Sequence, residues 1–223
     1  MVKKNIVIGV KMYGKDILIV CALEQETQGQ LEDWNVLYTG VGKVNATYKL
    51  TKRFGTYHSF PAVRRSHSLV INYGTAGSRE LPVGELVDCT QFIQRDMDAT
   101  QFGFLRGQTP FEETDSLYNG KSIIVLDSNS EFNPIGKHYV CGTGDNFVDG
   151  VPLESYTFGD NWMCDVVDME AYALAKVCYH YDISFISFKY ITDNADEHSP
   201  KDWKDNLGDG ISEFKEKVLE KIE

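Results

Sequence analysis

Four short stretches of this 223-residue chain end in or carry carboxylates: Glu24-Gln25-Glu26, Gly144-Asp145, Met169-Glu170 and Thr192-Asp193. Carboxylates in unequal surroundings can divide proton-transfer work. One kept protonated gives its proton to a leaving group, while an ionised one activates a water. Taken singly, Glu24, Glu26, Asp193 and Asp196 read equally well as solvated loop side chains. Glu170 does not, because it sits between Met169 and Ala171 at the start of an apolar helical face, with Val167 three residues before and Leu174 four after. A carboxylate there is costly to bury unless something pairs with it, and the hydroxyls of a bound ribose are suitable donors.

Other chemistries fail on spacing. A Walker loop at Gly40-Val41-Gly42-Lys43 needs Gly at Leu37 and Ser or Thr at Val44, and a dinucleotide fingerprint needs Gly at Asn45. A glycine turn closing on a small ligand remains. His58, His67, His138, His180 and His198 are scattered at no metal-ligand spacing, so neither metal nor cofactor is expected. The cysteines number five, lack a C-x-x-C pair and fall mostly in apolar runs, which reads as buried free thiols in a reducing compartment. A formal net charge of −11 repels polyanions, and Arg64-Arg65 is no basic run, so nucleic acid is not expected as a partner. No apolar stretch approaches the roughly 20 residues that span a bilayer. Ile6–Val10 is too short for a secretory core and is followed by Lys11. The expectation is a soluble cytoplasmic protein that makes no membrane contact.

The elements that must position these carboxylates alternate between strand and helix. Asn5–Val10 and Asp16–Leu23 are expected to form a hairpin across Gly14-Lys15, the second strand continuous enough to be buried on both faces. Val36–Thr39, Ser68–Tyr73, Val83–Phe92, Ser122–Leu126, Tyr139–Cys141, Cys164–Met169 and Ser184–Ile191 read as further strands. Helices are expected over Val44–Phe54, over the stripe Ala171, Leu174, Val177, Cys178 and Tyr181, and over the closing stripe Ile211, Phe214, Val218, Leu219 and Ile222. Residues Gln94 to Glu113 read as a long loop. The sum is one three-layer α/β/α domain over residues 1–223 with a mixed, largely parallel central sheet. Glu26, Thr75, Asp145 and Asp193 fall just past strand-like runs, where open α/β sheets bind ligands.

In chain order, seven strings carry a family resemblance: Ala-Leu-Glu-Gln-Glu (22–26), Gly-Val-Gly-Lys-Val (40–44), Asn-Tyr-Gly-Thr-Ala-Gly-Ser (72–78), Arg-Asp-Met-Asp-Ala-Thr-Gln-Phe-Gly-Phe (95–104), Thr-Gly-Asp-Asn-Phe-Val (143–148), Val-Asp-Met-Glu-Ala (167–171) and Ile-Thr-Asp-Asn-Ala-Asp (191–196). From about Ile17 onward the chain resembles the purine nucleoside phosphorylase superfamily, and within it the 5′-methylthioadenosine/S-adenosylhomocysteine nucleosidases. The resemblance implies that Glu26 activates water, Glu170 holds the ribose hydroxyls and Asp193 protonates purine N7. It implies that Phe147 and Val148 contact the base, that Met169 packs on the sugar, and that Thr75 stands near the water where Ser is usual. Val41, Ala76, Gly77, Asp168 and Lys189 complete the implied substrate-binding set.

The implied reaction explains the residue types. Protonating N7 turns an anionic purine into a neutral leaving group, and carboxylates stabilise the cationic ribose that forms as the bond breaks. Two positions depart from the family pattern: Lys189 stands where Arg is often found, losing the bidentate fork, and Asp168 replaces a more common Glu. Two alternatives stay open. A phosphorylase would use phosphate in place of water, but no Arg precedes Arg53 and the early loop is acidic, leaving Lys189 as the one plausible cation. A non-catalytic storage protein of the same fold would be expected to lose a key carboxylate, yet Glu26, Glu170 and Asp193 are all present. The partners implied are a purine nucleoside, water and a second copy of the chain, the homodimer also being suggested by Phe92, Phe102, Phe104 and Phe111 around the long loop.

Overall fold

A computed structural model describes residues 17–58, 69–111, 117–118, 121–125, 132–150, 157–158, 161–162 and 164–222. Asn5–Val10, the expected hairpin partner of the next strand, lies outside these residues. Strand β1 (Ile17–Cys21) is buried at every position. It pairs in parallel with β2 (Val36–Tyr38) on one side and β3 (Leu69–Gly77) on the other.

Alternate side chains of these strands point to opposite faces, and helices cover both. Leu18, Val20 and Val70 pack with Ala46, Leu50 and Phe54 of α1 (Lys43–His58) and with Leu174, Ala175 and Cys178 of α2 (Ala171–His180). Ile17, Ile19, Leu69 and Ile71 pack with Ile211, Phe214, Val218 and Leu219 of the closing helix, whose middle, Lys215–Leu219, is a π turn. The expected α/β/α layers with a mixed sheet are therefore present. Among the described residues no helix is long and apolar enough to cross a membrane.

The sheet is more closed than an open doubly wound one. β3 pairs in parallel with β11 (Ser184–Asp193), and β11 runs antiparallel to β4 (Leu86–Gln94). β4 pairs in parallel with β7 (Tyr139–Thr143), and β7 with β10 (Val166–Asp168). The circuit returns to β3 through the single antiparallel pair Val167 and Gly77. Beyond it, β6 (Lys121–Val125) continues from β4 and carries the short edge strand β5 (Leu117–Tyr118), while β8 (Thr157–Phe158) and β9 (Asn161–Trp162) form a separate antiparallel pair. At this pair the bare Cα of Gly77 leaves room for Asp193, since a Cβ there would lie 2.5 Å from Asp193 Oδ1.

Several sequence-based boundaries shift. β3 continues through Thr75, Ala76 and Gly77, past the expected end of the strand at Tyr73. Pairing with Tyr190, Ile191 and Asp193 overrides their weak local preference. β4 starts at Leu86 rather than Val83, because Pro82 and Glu85 close a turn first. Phe92 does not belong to an exposed loop. It lies fully buried inside β4 against Phe185, whereas Phe102 and Phe111 are exposed. A helix absent from the sequence reading, α3 (Ser199–Asn206), follows β11. Its sequence, Ser-Pro-Lys-Asp-Trp-Lys-Asp-Asn, has no apolar stripe and buries only Ser199, so periodicity could not reveal it.

Candidate active site

A cavity of about 280 Å³ opens where β1, β3, β10 and β11 end. Val41, Glu26, Thr75, Ala76, Gly77, Phe147, Val148, Asp168, Met169, Glu170 and Asp193 all line it. The lining also includes Arg95, Asn146, Pro200, Trp203 and Lys204, which the sequence reading did not single out. Arg95 heads one of the seven family-like strings and was legible on that account, whereas Pro200, Trp203 and Lys204 belong to the unforeseen α3.

Glu26 closes a 3-10 turn directly after β1 and is buried. One carboxylate oxygen, Oε2, accepts the backbone N–H groups of Ala22 (3.1 Å) and Leu23 (2.9 Å). The other, Oε1, accepts from the Thr75 backbone N–H (3.0 Å) and hydroxyl (3.2 Å). Four donors therefore fix this carboxylate. Thr75 in turn accepts from the Trp203 indole Nε1 at 3.0 Å.

Asp193 is the last residue of β11, just after a bulge at Thr192 where the register with β3 slips. The bulge re-aims the final side chain. Asp193 Oδ1 accepts the Ala195 N–H (3.0 Å), and Oδ2 accepts the Thr192 hydroxyl (2.9 Å). Burial raises its pKa above the ordinary carboxylate value, against the lowering effect of bonds from Ala195, Ser199 and Thr192.

Glu170 stands at the N-terminus of α2. The neighbouring turn is tied down by Asp168, whose Oδ2 accepts the Ala171 N–H (2.8 Å), and by Thr143, whose hydroxyl accepts the Tyr172 N–H (2.9 Å) and donates to Asp168 Oδ1. Glu170 Oε1 accepts the Gly42 N–H at 2.7 Å. Gly42 sits at φ 93°, a left-handed backbone that glycine adopts without strain, and this conformation turns its N–H toward the carboxylate. Burial, then the charge of Asp168, push the Glu170 pKa up to about 8.

Lys189 is not a surface lysine. It is buried beneath the cavity, is absent from its lining, and pairs with Asp168 Oδ2 at 2.8 Å. Burial works against charge on both partners. The attraction overcomes it, holding Asp168 below and Lys189 above their ordinary ranges. Nor is Lys189 the one cation near the site, since Arg95 and Lys204 line the cavity. Arg95 is directed at the end of β7 and the segment after it: Nε donates to Gly142 O (3.2 Å), Nη1 to Asn146 Oδ1 (2.9 Å), and Nη2 to the carbonyls of Gly144 and Asn146. Asp145 lies outside the cavity lining, accepting the Lys43 N–H at 2.8 Å. All five cysteines are buried and free, and burial pushes the Cys164 thiol up to about 12. Among the described residues no group of three or more His, Cys, Asp and Glu could hold a metal.

The fold and the ring of carboxylates at its strand ends define a nucleoside phosphorylase-like protein. A family model described as "Phosphorylase superfamily" matches residues 17–223. A 5′-methylthioadenosine/S-adenosylhomocysteine nucleosidase from Marinomonas sp. is 30% identical over 183 residues, covering 79% of this chain and 74% of the relative. The chain belongs to the phosphorylase superfamily and, within it, to the family of these nucleosidases. Among solved structures, a futalosine hydrolase mutant of Helicobacter pylori superposes with a TM-score of 0.73 at 20% identity, covering 92% of this chain and 98% of that one. A Helicobacter pylori MTAN mutant with 5′-methylthioadenosine in its active site superposes at 0.71 and 21% identity, covering 88% and 93%.

The raised pKa of Glu170 has a consequence for stability. The unfolded carboxyl ionises near its ordinary value of 4.5, whereas the folded one holds its proton until about pH 8. Between these values the folded state binds the extra proton, so this residue's contribution falls as pH rises. Glu170→Gln removes the titration. Its melting temperature relative to wild type should therefore be higher at pH 8 than at pH 5. An offset that stays constant or reverses across that range would show that Glu170 is not a buried, proton-holding group.

Proposed function

We propose that this chain hydrolyses the N-glycosidic bond of an adenosine-type nucleoside, 5′-methylthioadenosine or S-adenosylhomocysteine, releasing adenine and a free 5′-modified ribose. The observation that carries this reading is one cavity lined at once by Asp193, Glu170 and Glu26, each anchored differently. Relatives bearing the nucleosidase name support the substrate class.

In the mechanism, the C1′–N9 bond breaks and its electron pair goes to the purine. Asp193, inclined by burial to hold a proton, delivers it to N7, and the base leaves neutral. Positive charge spreads over C1′ and the ring oxygen, where the surrounding carboxylates favour it. The oxygen of water bonds to C1′ as its proton passes to Glu26, whose carboxylate is fixed by four donors. Glu170 accepts from the ribose hydroxyls, while Met169 packs on the sugar. Phe147 and Val148 contact the base, and Val41, Ala76 and Gly77 line the same cavity. Asp168 lines the cavity and is held by Lys189, which acts on it from outside the lining. No metal or cofactor takes part in this scheme.

We further propose a homodimer. Between α1 and α2 lies a groove of about 760 Å³, lined in part by Val44, Tyr48, Tyr172 and Val177, with Val44 and Tyr48 exposed. Exposed Phe102 and Phe111 add apolar surface that a lone chain seldom presents. Sedimentation should give twice the monomer mass, and a fully active monomer at nanomolar concentration would overturn the assignment.

The direct test of the reaction is release of free adenine from each nucleoside, with Asp193→Asn beside wild type. Wild type should release adenine, and the variant should lose roughly 10²-fold or more in turnover while remaining folded. No release from either nucleoside would remove the substrate assignment, and a variant within about threefold of wild type would remove Asp193 as the acid.

A further inference from the structure

We propose that Trp203 is a positioning residue for the water-activating base, acting through the Thr75 hydroxyl. The proposal rests on the reading of Glu26 as that base.

The hydrogen-bond directions are forced. An indole N–H can only donate, and a threonine hydroxyl has one proton. Trp203 Nε1 lies 3.0 Å from Thr75 Oγ1, so the hydroxyl accepts there. Its own proton is then directed to Glu26 Oε1, 3.2 Å away. Without the indole, the Thr75 hydroxyl would be a free rotor able to turn from the carboxylate. With it, the chain from indole to hydroxyl to carboxylate runs one way. It joins the three backbone donors from Ala22, Leu23 and Thr75 in fixing the plane of the Glu26 carboxylate. A water taken by Glu26 must then approach from the remaining open direction, which fixes where it meets C1′.

The same helix also reaches the acid. Ser199 and Trp203 are four residues apart on α3 and so share a face. Ser199 is fully buried, its hydroxyl accepts the Asp196 N–H at 2.8 Å, and it hydrogen-bonds Asp193. At the far end of α3, Asn206 Nδ2 donates to the Thr192 carbonyl at 2.8 Å. One turn of α3 thus bridges the two proton-transfer groups from behind, and the Trp203 ring meets Phe147 edge-on, 6.2 Å between centroids. Trp203→Phe keeps an aromatic ring at the cavity wall and removes only the donor.

The test is steady-state kinetics of Trp203→Phe, Thr75→Val and the double variant on 5′-methylthioadenosine, with Glu26→Gln in parallel. Trp203→Phe should lower kcat about three- to tenfold, the scale of one hydrogen bond, and leave KM within about twofold. The double variant should be no slower than Thr75→Val alone, because both changes cut one chain. Thr75→Ala should repeat that pattern if the valine variant does not fold. A Trp203→Phe enzyme with wild-type kcat, a loss confined to KM, or independent multiplication of the two losses would overturn the role of Trp203 while leaving an inactive Glu26→Gln to support the base. Wild-type turnover by Glu26→Gln would instead remove the base reading itself.

Discussion

The ion pair between Lys189 and Asp168 is the constraint on which the rest of the site depends. Both side chains are about 1% exposed and 2.8 Å apart. A buried charge is tolerated only when paired and hydrogen-bonded, and removing one partner of such a pair costs about 3–5 kcal/mol. Asp168 meets that condition fully: besides Lys189 it accepts from Thr143 and from Ala171 at the start of α2. It thereby fixes the turn that carries Glu170. Glu26 and Glu170 are also buried nearby, so one ammonium faces more negative charge than it can neutralise. The excess appears at Glu170, which burial and Asp168 push toward its protonated form. A floor of this kind favours a neutral or cation-forming ligand and disfavours an anion.

Backbone geometry supplies the rest. The bulge at Thr192 aims Asp193 inward, and the bare Cα of Gly77 leaves room for its carboxylate. Gly42 turns an N–H toward Glu170, and the 3-10 turn after β1 presents Glu26 to backbone donors at both of its oxygens. Each acidic group is thus held by the peptide frame, and α3 then ties the Asp193 and Glu26 arms together from outside the sheet.

Much of this was legible in the sequence, for identifiable reasons. Continuous apolar runs disclosed β1, β3 and β11, and the stripe from Ala171 to Tyr181 disclosed α2. Glu170 stood out because a carboxylate on an apolar helix face needs a partner. The hidden parts share a cause, which is that tertiary contacts decide them. The last three residues of β3 lie past the apolar run that ends at Tyr73, and pairing with β11 makes them strand. Lys189 reads as a cation available to the ligand until Asp168 is placed beside it by a segment more than twenty residues away in the chain. Phe92 is grouped with the loop aromatics because it stands at the last position of the expected strand, whereas β4 runs on to Gln94 and buries it. Trp203 gave no sign, being the lone large ring in a polar helix, and its importance lies in one N–H.

The central claim is that this carboxylate-rich floor admits water, and not phosphate, as the nucleophile. Arg95 gives its donors to the Gly142, Gly144 and Asn146 carbonyls and the Asn146 side chain, Lys189 gives its charge to Asp168, and Lys204, also at the cavity wall, is an exposed side chain on α3 rather than a fixed donor. A phosphate dianion under C1′ would need fixed cationic donors within hydrogen-bond reach. The most direct measurement is the rate of base release with and without inorganic phosphate, with the sugar product identified in each case. Equal rates and a free 5′-modified ribose are predicted. Phosphate-stimulated turnover yielding a sugar 1-phosphate would contradict the account.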